Sequence, residues 1–151
     1  MARMTFDTPL GWLRVTTHDG FIVDLRFVED AGGDTEQPDS LCQTAREQLA
    51  EYFEGKRREF HLPLRPAGTE FQKAVWEAVR RVPYGQTSRY RDIAIQAGRP
   101  QACRAVGAAV GKNPIWLLIP CHRIIGSNGA LTGYAGGLWR KEKLLTLEGA
   151  L

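Results

Sequence analysis

Trp12 to Thr17 and Phe21 to Val28 are strand-like runs, rich in apolar and β-branched residues, with His18-Asp19-Gly20 between them. Two such runs on either side of an Asp-Gly pair predict a β-hairpin. Arg3 to Phe6 and Glu59 to Leu64 have the composition of further strands. Glu29 to Asp39 (EDAGGDTEQPD) is acidic and aperiodic, and reads as an exposed loop. The period then becomes helical. Leu41, Ala45, Leu49, Tyr52 and Phe53 form one stripe, Gly55 ends it, and Ser40 with Gln43 is expected to form the N-terminal capping box.

The second half is helical in pattern. Leu62 to Gly68 (LPLRPAG) reads as a linker, and Thr69 with Gln72 predicts another capping box. The helix it starts carries Phe71, Val75, Ala78, Val79 and Val82 on one face and stops at Pro83. A short helix is expected from about Ser88 to Ala97, with Ile93, Ala94 and Ala97 inward and Gly98 just past its end. After Gly98-Arg99-Pro100, another is expected from about Gln101 to Val110, ending at Gly111. Two short helices joined by a Gly-containing turn match a helix-turn-helix. A last helix runs from Leu138 to about Glu148. The predicted class is α+β. A small N-terminal antiparallel-sheet domain with one helix covers residues 1–65, and a mainly helical C-terminal domain covers residues 66–151.

Composition narrows the class. The 151 residues are 43% hydrophobic and 25% charged, as in a water-soluble globular chain. Nothing at the N-terminus reads as a secretory signal, and the longest apolar run, Ile115 to Pro120, is too short to span a bilayer. The three cysteines, Cys42, Cys103 and Cys121, are widely spaced with no CxxC, which argues for a reducing compartment. A cytoplasmic protein is expected, nuclear if eukaryotic. Charge is divided unevenly. Residues 1–65 hold 8 basic and 12 acidic side chains, net −4, and residues 66–151 hold 12 and 5, net +7. The second half is therefore the part suited to a polyanion. Its helix QACRAVGAAVG has two readings: a small-residue face packed on another helix, or a helix that lies close to a nucleic-acid backbone with Arg104 projecting.

The chemistry centres on IPCHRIIG, residues 119–126. Cys121 has three readings: a core residue, a metal ligand, or a nucleophile with His122 as base. A metal site lacks further ligands nearby in sequence. Pro120 places Cys121 at a strand end or bend. Neighbours on an extended chain point to opposite faces, so a direct Cys121–His122 hydrogen bond is strained and a water or sharp turn is the expected relay. Glu148 and Glu142 are the candidate orienters of His122. Gly133-Tyr134-Ala135-Gly136-Gly137 is a flexible loop whose aromatic suits a flat ligand.

The blocks GTEFQKAVWEAV, RVPYGQTSRYRDIA, RAVGAAVGKNP, IPCHRIIG and LTGYAGGLWRKEKLLTLEG, in that order between Gly68 and Gly149, resemble the O6-alkylguanine-DNA alkyltransferases, whose active-site motif is PCHR. Residues 1–65 resemble the family's N-terminal domain by length and element order only. The resemblance implies direct-reversal repair: one irreversible transfer of an alkyl group from guanine O6 to Cys121. His122 would act as base through a water, Glu148 would orient it, and Tyr90 would protonate the leaving guanine. Arg104 would replace the flipped nucleotide, and Gln101, Ala105, Gly107 and Ala108, with Thr87, Ser88 and Arg89, would meet DNA in the minor groove. Asn113 would be a hinge. Ile124, Tyr134, Ala135 and Lys141 would belong to the pocket, with Tyr134 packing on the alkyl group or base. Arg89 stands where many members have Ser or Thr, which leaves capping of that helix to Thr87 or Ser88. The implied partner is double-stranded DNA bearing O6-alkylguanine, bound by a monomer capable of cooperative binding, nucleoid-associated when on DNA. No cofactor is implied. Some members hold zinc in the N-terminal domain, but a matching ligand cluster is missing here, so no metal is expected. Alkyltransferase-like proteins carry Trp at the cysteine position, unlike Cys121.

Overall fold

In a computed structural model that describes residues 1–35 and 37–151, the Asp19-Gly20 pair makes the predicted turn, with φ of 50° and 81°. Two successive left-handed residues match the right-handed twist of the strands they join. The hairpin is β2 (Gly11–His18) and β3 (Phe21–Val28), and β1 (Ala2–Thr8) pairs antiparallel on the other side of β2. Thr17 pairs with Ile22 but Thr16 pairs with Asp24, so Val23 is an extra residue in the ladder. This bulge shifts the phase of β3: Ile22 faces inward before it, Leu25 and Phe27 after it. Together with Phe6, Leu13 and Val15 they form the sheet's side of a core closed by Cys42, Ala45, Leu49 and Tyr52 of α1 (Ser40–Phe53).

Two expectations for this region are corrected. Glu59–Leu64 is not a strand: it meets the sheet at one bridge, where Ile22 donates to the Pro63 carbonyl and accepts from Arg65 N–H. Pro63 and Pro66 have no N–H to extend a ladder. The cap of α1 is Asp39, not Ser40. The Asp39 carboxylate accepts from Cys42 N–H (2.8 Å) and from the Thr17 hydroxyl (2.6 Å), tying the helix start to β2. Ser40 is already helical, and its carbonyl accepts from Thr44 Oγ1. At the far end Gly55, with φ 76°, closes the helix as predicted. The predicted acidic loop is irregular over its described residues, and Glu36 lies outside them.

Residues Met1–Pro66 form one unit and Ala67–Leu151 a second. In the second, the Thr69–Gln72 capping box is complete in both directions and starts α2 (Glu70–Arg80). α3 (Tyr90–Gln96) and α4 (Cys103–Gly111) pack on α2 and on each other. Trp76 joins them through its indole N–H, which donates to the Ala109 carbonyl (2.8 Å). Both helices are shorter than predicted. Ser88 and Arg89 form β4, so α3 begins at Tyr90, with Arg89 at its cap position and no side-chain cap. Gln101 lies in the turn before α4. β4 pairs in parallel with β5 (Ile124–Ile125), and α5 (Leu138–Leu147) closes the unit. No helix among the described residues is long and apolar enough to cross a membrane.

The cap assignment is checked by paired substitutions read in urea unfolding. Asp39→Ala should cost about 1–2 kcal/mol, because it removes the helix cap and leaves the Thr17 hydroxyl without its acceptor, whereas Ser40→Ala should cost less than about 0.5 kcal/mol.

Candidate active site

The candidate cysteine is delivered by a series of tight turns. The run Ile115–Ile119 is not a strand. Leu117 is left-handed (φ 70°) and Leu118 N–H donates to the Trp116 carbonyl (2.8 Å), which makes a γ-turn. Pro120 (φ −80°, ψ 63°) centres an inverse γ-turn, with Cys121 N–H donating to the Ile119 carbonyl (2.8 Å). Cys121–Arg123 is then one turn of 3₁₀ helix. Of the two expected settings, a strand end or a bend, the bend is the one that forms. Successive side chains on such a turn diverge by about 120° rather than pointing to opposite faces.

Asn113 holds these turns together. Its Nδ2 donates to the Ile119 carbonyl (2.9 Å) and to Cys121 Sγ (3.1 Å), while its Oδ1 accepts from Ile115 N–H (2.9 Å). Its own carbonyl accepts from the Trp116 indole (3.0 Å). A buried Asn that crosses its own loop three times fixes the sulfur's position relative to α4, whose end it follows.

Behind the cysteine, His122 and Glu148 are both fully buried side chains with Nε2 and Oε2 2.7 Å apart. Arg123 grips the same carboxylate from Nε (2.7 Å) and NH2 (3.0 Å), and its NH1 donates to the Val82 carbonyl (2.8 Å). Burial alone would raise the Glu148 carboxyl. The hydrogen bonds from His122 and Arg123 outweigh it and bring the pKa down to about 2. The carboxylate is thus ionised and accepts from an Nε2–H, which leaves Nδ1 as the basic nitrogen of a neutral ring. Burial also lowers the His122 pKa, consistent with that neutral form. Nδ1 is buried and has no hydrogen-bond partner among the described residues. Burial pushes the Cys121 thiol up to about 12, against the Asn113 hydrogen bond and the Lys141 charge. The resting sulfur is therefore a thiol, and reaction requires a proton acceptor.

Cys121 opens onto a pocket of about 230 Å³ lined by Tyr90, Gly107, Val110, Gly111, Asn113, Trp116, Gly133, Tyr134 and Ala135. The β4–β5 ladder explains how Tyr90 arrives there, since Ser88 pairs with Ile124 and Arg89 with Ile125, directly beyond the 3₁₀ turn. Of the residues singled out in the sequence, Tyr90, Gly107, Asn113, Cys121, Tyr134 and Ala135 share this pocket, and His122 and Glu148 stand behind it. Glu142, the alternative orienter, is exposed. Ile124 and Lys141 are buried beneath the site. Lys141 Nζ donates to the carbonyls of Ile124 and Thr132, and burial lowers its pKa to about 8. Arg104, Ala105 and Ala108 are exposed along α4, away from the buried Val106, Ala109 and Val110. Gln101, Thr87 and Arg89 are exposed and Ser88 half-buried, none of them within a helix. Among the described residues no group of three or more His, Cys, Asp or Glu side chains could hold a metal ion.

Sequence reasoning missed Arg123 and Trp116. Arg123 had a signal: a lone charge within the apolar stretch 115–125 must be paired if the stretch is buried. Trp116 had none, because its indole reaches Asn113 only through the γ-turn.

Family comparison gives two matches. The model described as 6-O-methylguanine DNA methyltransferase, DNA binding domain, matches residues 70–150, and the ribonuclease-like domain of the same description matches residues 1–66. The methylated-DNA–protein-cysteine methyltransferase of Mycolicibacterium paratuberculosis is 47% identical over 95% of this chain and 90% of its own. That of Methanosarcina acetivorans is 44% identical over 96% of each. A solved structure of Mycobacterium tuberculosis OGT in complex with DNA superposes with a TM-score of 0.90 at 44% identity, covering 99% of this chain and 94% of that one.

The buried carboxylate makes a prediction for acid. The Glu148 pKa is depressed, so its stabilisation is complete above the unfolded value of about 4.5 and is lost as pH falls toward 2. Glu148→Gln should lower stability at pH 7 by about 3–5 kcal/mol and flatten that acid limb, measured by chemical denaturation at a series of pH values.

Proposed function

Because the chain belongs to the 6-O-methylguanine DNA methyltransferase family, we propose that it repairs duplex DNA by transferring the alkyl group of an O6-alkylguanine to Cys121 in a single irreversible turnover. The observation that carries this reading is a buried thiol facing a base-sized pocket, with a His–carboxylate pair directly behind it. In the reaction the thiol proton passes to Nδ1 of His122, through a water because the two atoms are not in hydrogen-bond contact. The thiolate attacks the alkyl carbon, the S–C bond forms as the C–O6 bond breaks, and the electron pair goes to guanine. Tyr90, on the pocket wall, protonates the base so that it leaves neutral. The thioether product has no leaving group that restores the thiol, so the protein is consumed. Neither a cofactor nor a metal enters these steps.

The C-terminal region 66–151 is the DNA-binding and catalytic domain in this reading, and residues 1–65 are the N-terminal α+β domain. α3 and α4 act as the helix-turn-helix, with α4 in the minor groove. A Cβ built on Gly107 or Gly111 meets nothing within 4 Å, so packing within the protein does not require these glycines, and in this reading the space beside them is taken by DNA. Arg104 is the finger that fills the stack after the base is extruded. Gln101, Thr87, Ser88 and Arg89 contact the strand around it, Asn113 acts as the hinge, and Ala135 offers its backbone amide to O6. The protein acts as a monomer on DNA, in the cytoplasm and its nucleoid.

Intact mass after incubation with O6-benzylguanine should show one benzyl adduct per chain, absent in Cys121→Ala. Continued turnover would indicate a hydrolase instead, and DNA binding without an adduct a binding-only protein. Arg104→Ala should slow repair of duplex DNA by roughly tenfold or more while leaving reaction with the free base nearly unchanged, since only duplex requires extrusion.

A further inference from the structure

The reading above uses Tyr134 as a wall of the pocket, which leaves its hydroxyl without a task. That hydroxyl is buried and has no hydrogen-bond partner among the described residues, although part of the residue reaches the surface. A buried phenol ordinarily finds an acceptor. Its ring is held on three sides. The Trp116 ring centroid is 6.1 Å away and the His122 ring 6.5 Å away, edge-on. A Cβ on Gly136 would come within 2.8 Å of the Tyr134 ring, so the ring lies against a bare backbone. The loop itself is anchored, with Gly137 N–H donating to the Tyr134 carbonyl (2.9 Å) and Lys141 holding the Thr132 carbonyl (2.7 Å). The position of the ring is thus fixed by packing, and Tyr134 lines the same pocket as Cys121.

We propose that Tyr134 is a further catalytic residue, whose buried hydroxyl donates a hydrogen bond to the sulfur of Cys121 as it becomes a thiolate. The inference rests on the alkyl-transfer reading. In the resting thiol the sulfur has one strong donor, Asn113 Nδ2 at 3.1 Å, and burial opposes its ionisation. Removal of the proton creates a full negative charge on a largely buried sulfur. The charged and titratable groups around that sulfur and the Tyr134 ring are Lys141, His122 with its carboxylate Glu148, Arg123, Arg140, Tyr134 and, across the pocket, Tyr90. Lys141 is committed to two carbonyls and Arg123 to Glu148 and Val82, so their charges act at a distance. Among these groups Tyr134 is the one whose buried polar atom makes no hydrogen bond in the resting state and is not assigned to another step. Burial and the nearby sulfur both keep its own proton in place, as a donor to an anion requires. The hydrogen bond forms as charge develops, so it lowers the barrier rather than the resting energy.

The test compares Tyr134→Phe and Tyr134→Leu with the parent protein. Rates are measured from pH 6 to 10 with O6-benzylguanine and, separately, with iodoacetamide, and modification is read at Cys121 by peptide mass. Tyr134→Phe keeps the ring and should slow both reactions about tenfold to a hundredfold near neutral pH, the scale of one hydrogen bond to a charged group. Both thiols titrate above this range, so the loss should be the same factor at every pH from 6 to 10. Tyr134→Leu should lose more, through lost packing. An unchanged rate in Tyr134→Phe, or a loss with O6-benzylguanine that iodoacetamide does not share, overturns the assignment. If the parent reacts with iodoacetamide at Cys121 but never with O6-benzylguanine, the alkyl-transfer reading fails while the iodoacetamide series still decides the role of Tyr134.

Discussion

The second unit is organised around one ionised carboxylate. Glu148 caps α5 at a helix end where a negative charge is unfavourable, and it is buried as well. Arg123 is what makes that position tenable. Its guanidinium matches both carboxylate oxygens and gives a third donor to the Val82 carbonyl just after α2. Three segments that are far apart in sequence, residues 82, 121–123 and 148, are thereby joined by one hydrogen-bonded cluster. The same cluster determines which nitrogen of His122 carries the proton, so an arrangement needed for stability also sets the chemistry of the site.

Given that anchor, the remaining geometry follows from short-range constraints. The γ-turn at Leu117 and the inverse γ-turn at Pro120 fold the apolar run back on itself, and Asn113 fastens the fold from inside. The two-residue β4–β5 ladder then connects the 3₁₀ turn to the start of α3. Such a ladder is too short to stabilise much on its own. Its effect is positional: it brings Tyr90 to the wall of the pocket on which Cys121 opens, although 31 positions separate them in the chain.

What could be read in advance and what could not divide along the same physical line. Features governed by neighbours in sequence were legible. The Asp19-Gly20 turn, the Thr69–Gln72 box, Gly55 and Gly98 as helix stops, and the α+β class all depend on local dihedrals and capping. Features decided by a distant partner were not. Asp39 outranks Ser40 as a cap because Thr17, on a strand, donates to it. Ser88 and Arg89 leave the predicted helix because Ile124 and Ile125 offer them a ladder. The phase change in β3 comes from a bulge that periodicity cannot locate. Six of the residues named from the motif blocks line one pocket, but the Arg123 clamp behind it is a contact across 25 residues.

The burial of Cys121 opposes ionisation, since a thiol pushed up to about 12 is ionised in only a minute fraction at neutral pH. For a protein that reacts once, the balance is different. Intrinsic nucleophilicity rises with thiol pKa, with a Brønsted slope of about 0.4–0.5, which recovers at most about half of the loss in thiolate fraction. An acidic, exposed cysteine would also be consumed by oxidants and adventitious electrophiles, and here each such event would remove the protein from use. Keeping the sulfur protonated until a substrate fills the pocket separates storage from reaction. The groups of the proposed reaction are already in place, with Asn113 donating to the sulfur and His122 paired with Glu148. The cost of ionisation then falls on the moment of transfer, when the substrate itself excludes water and the positioned groups act at low dielectric.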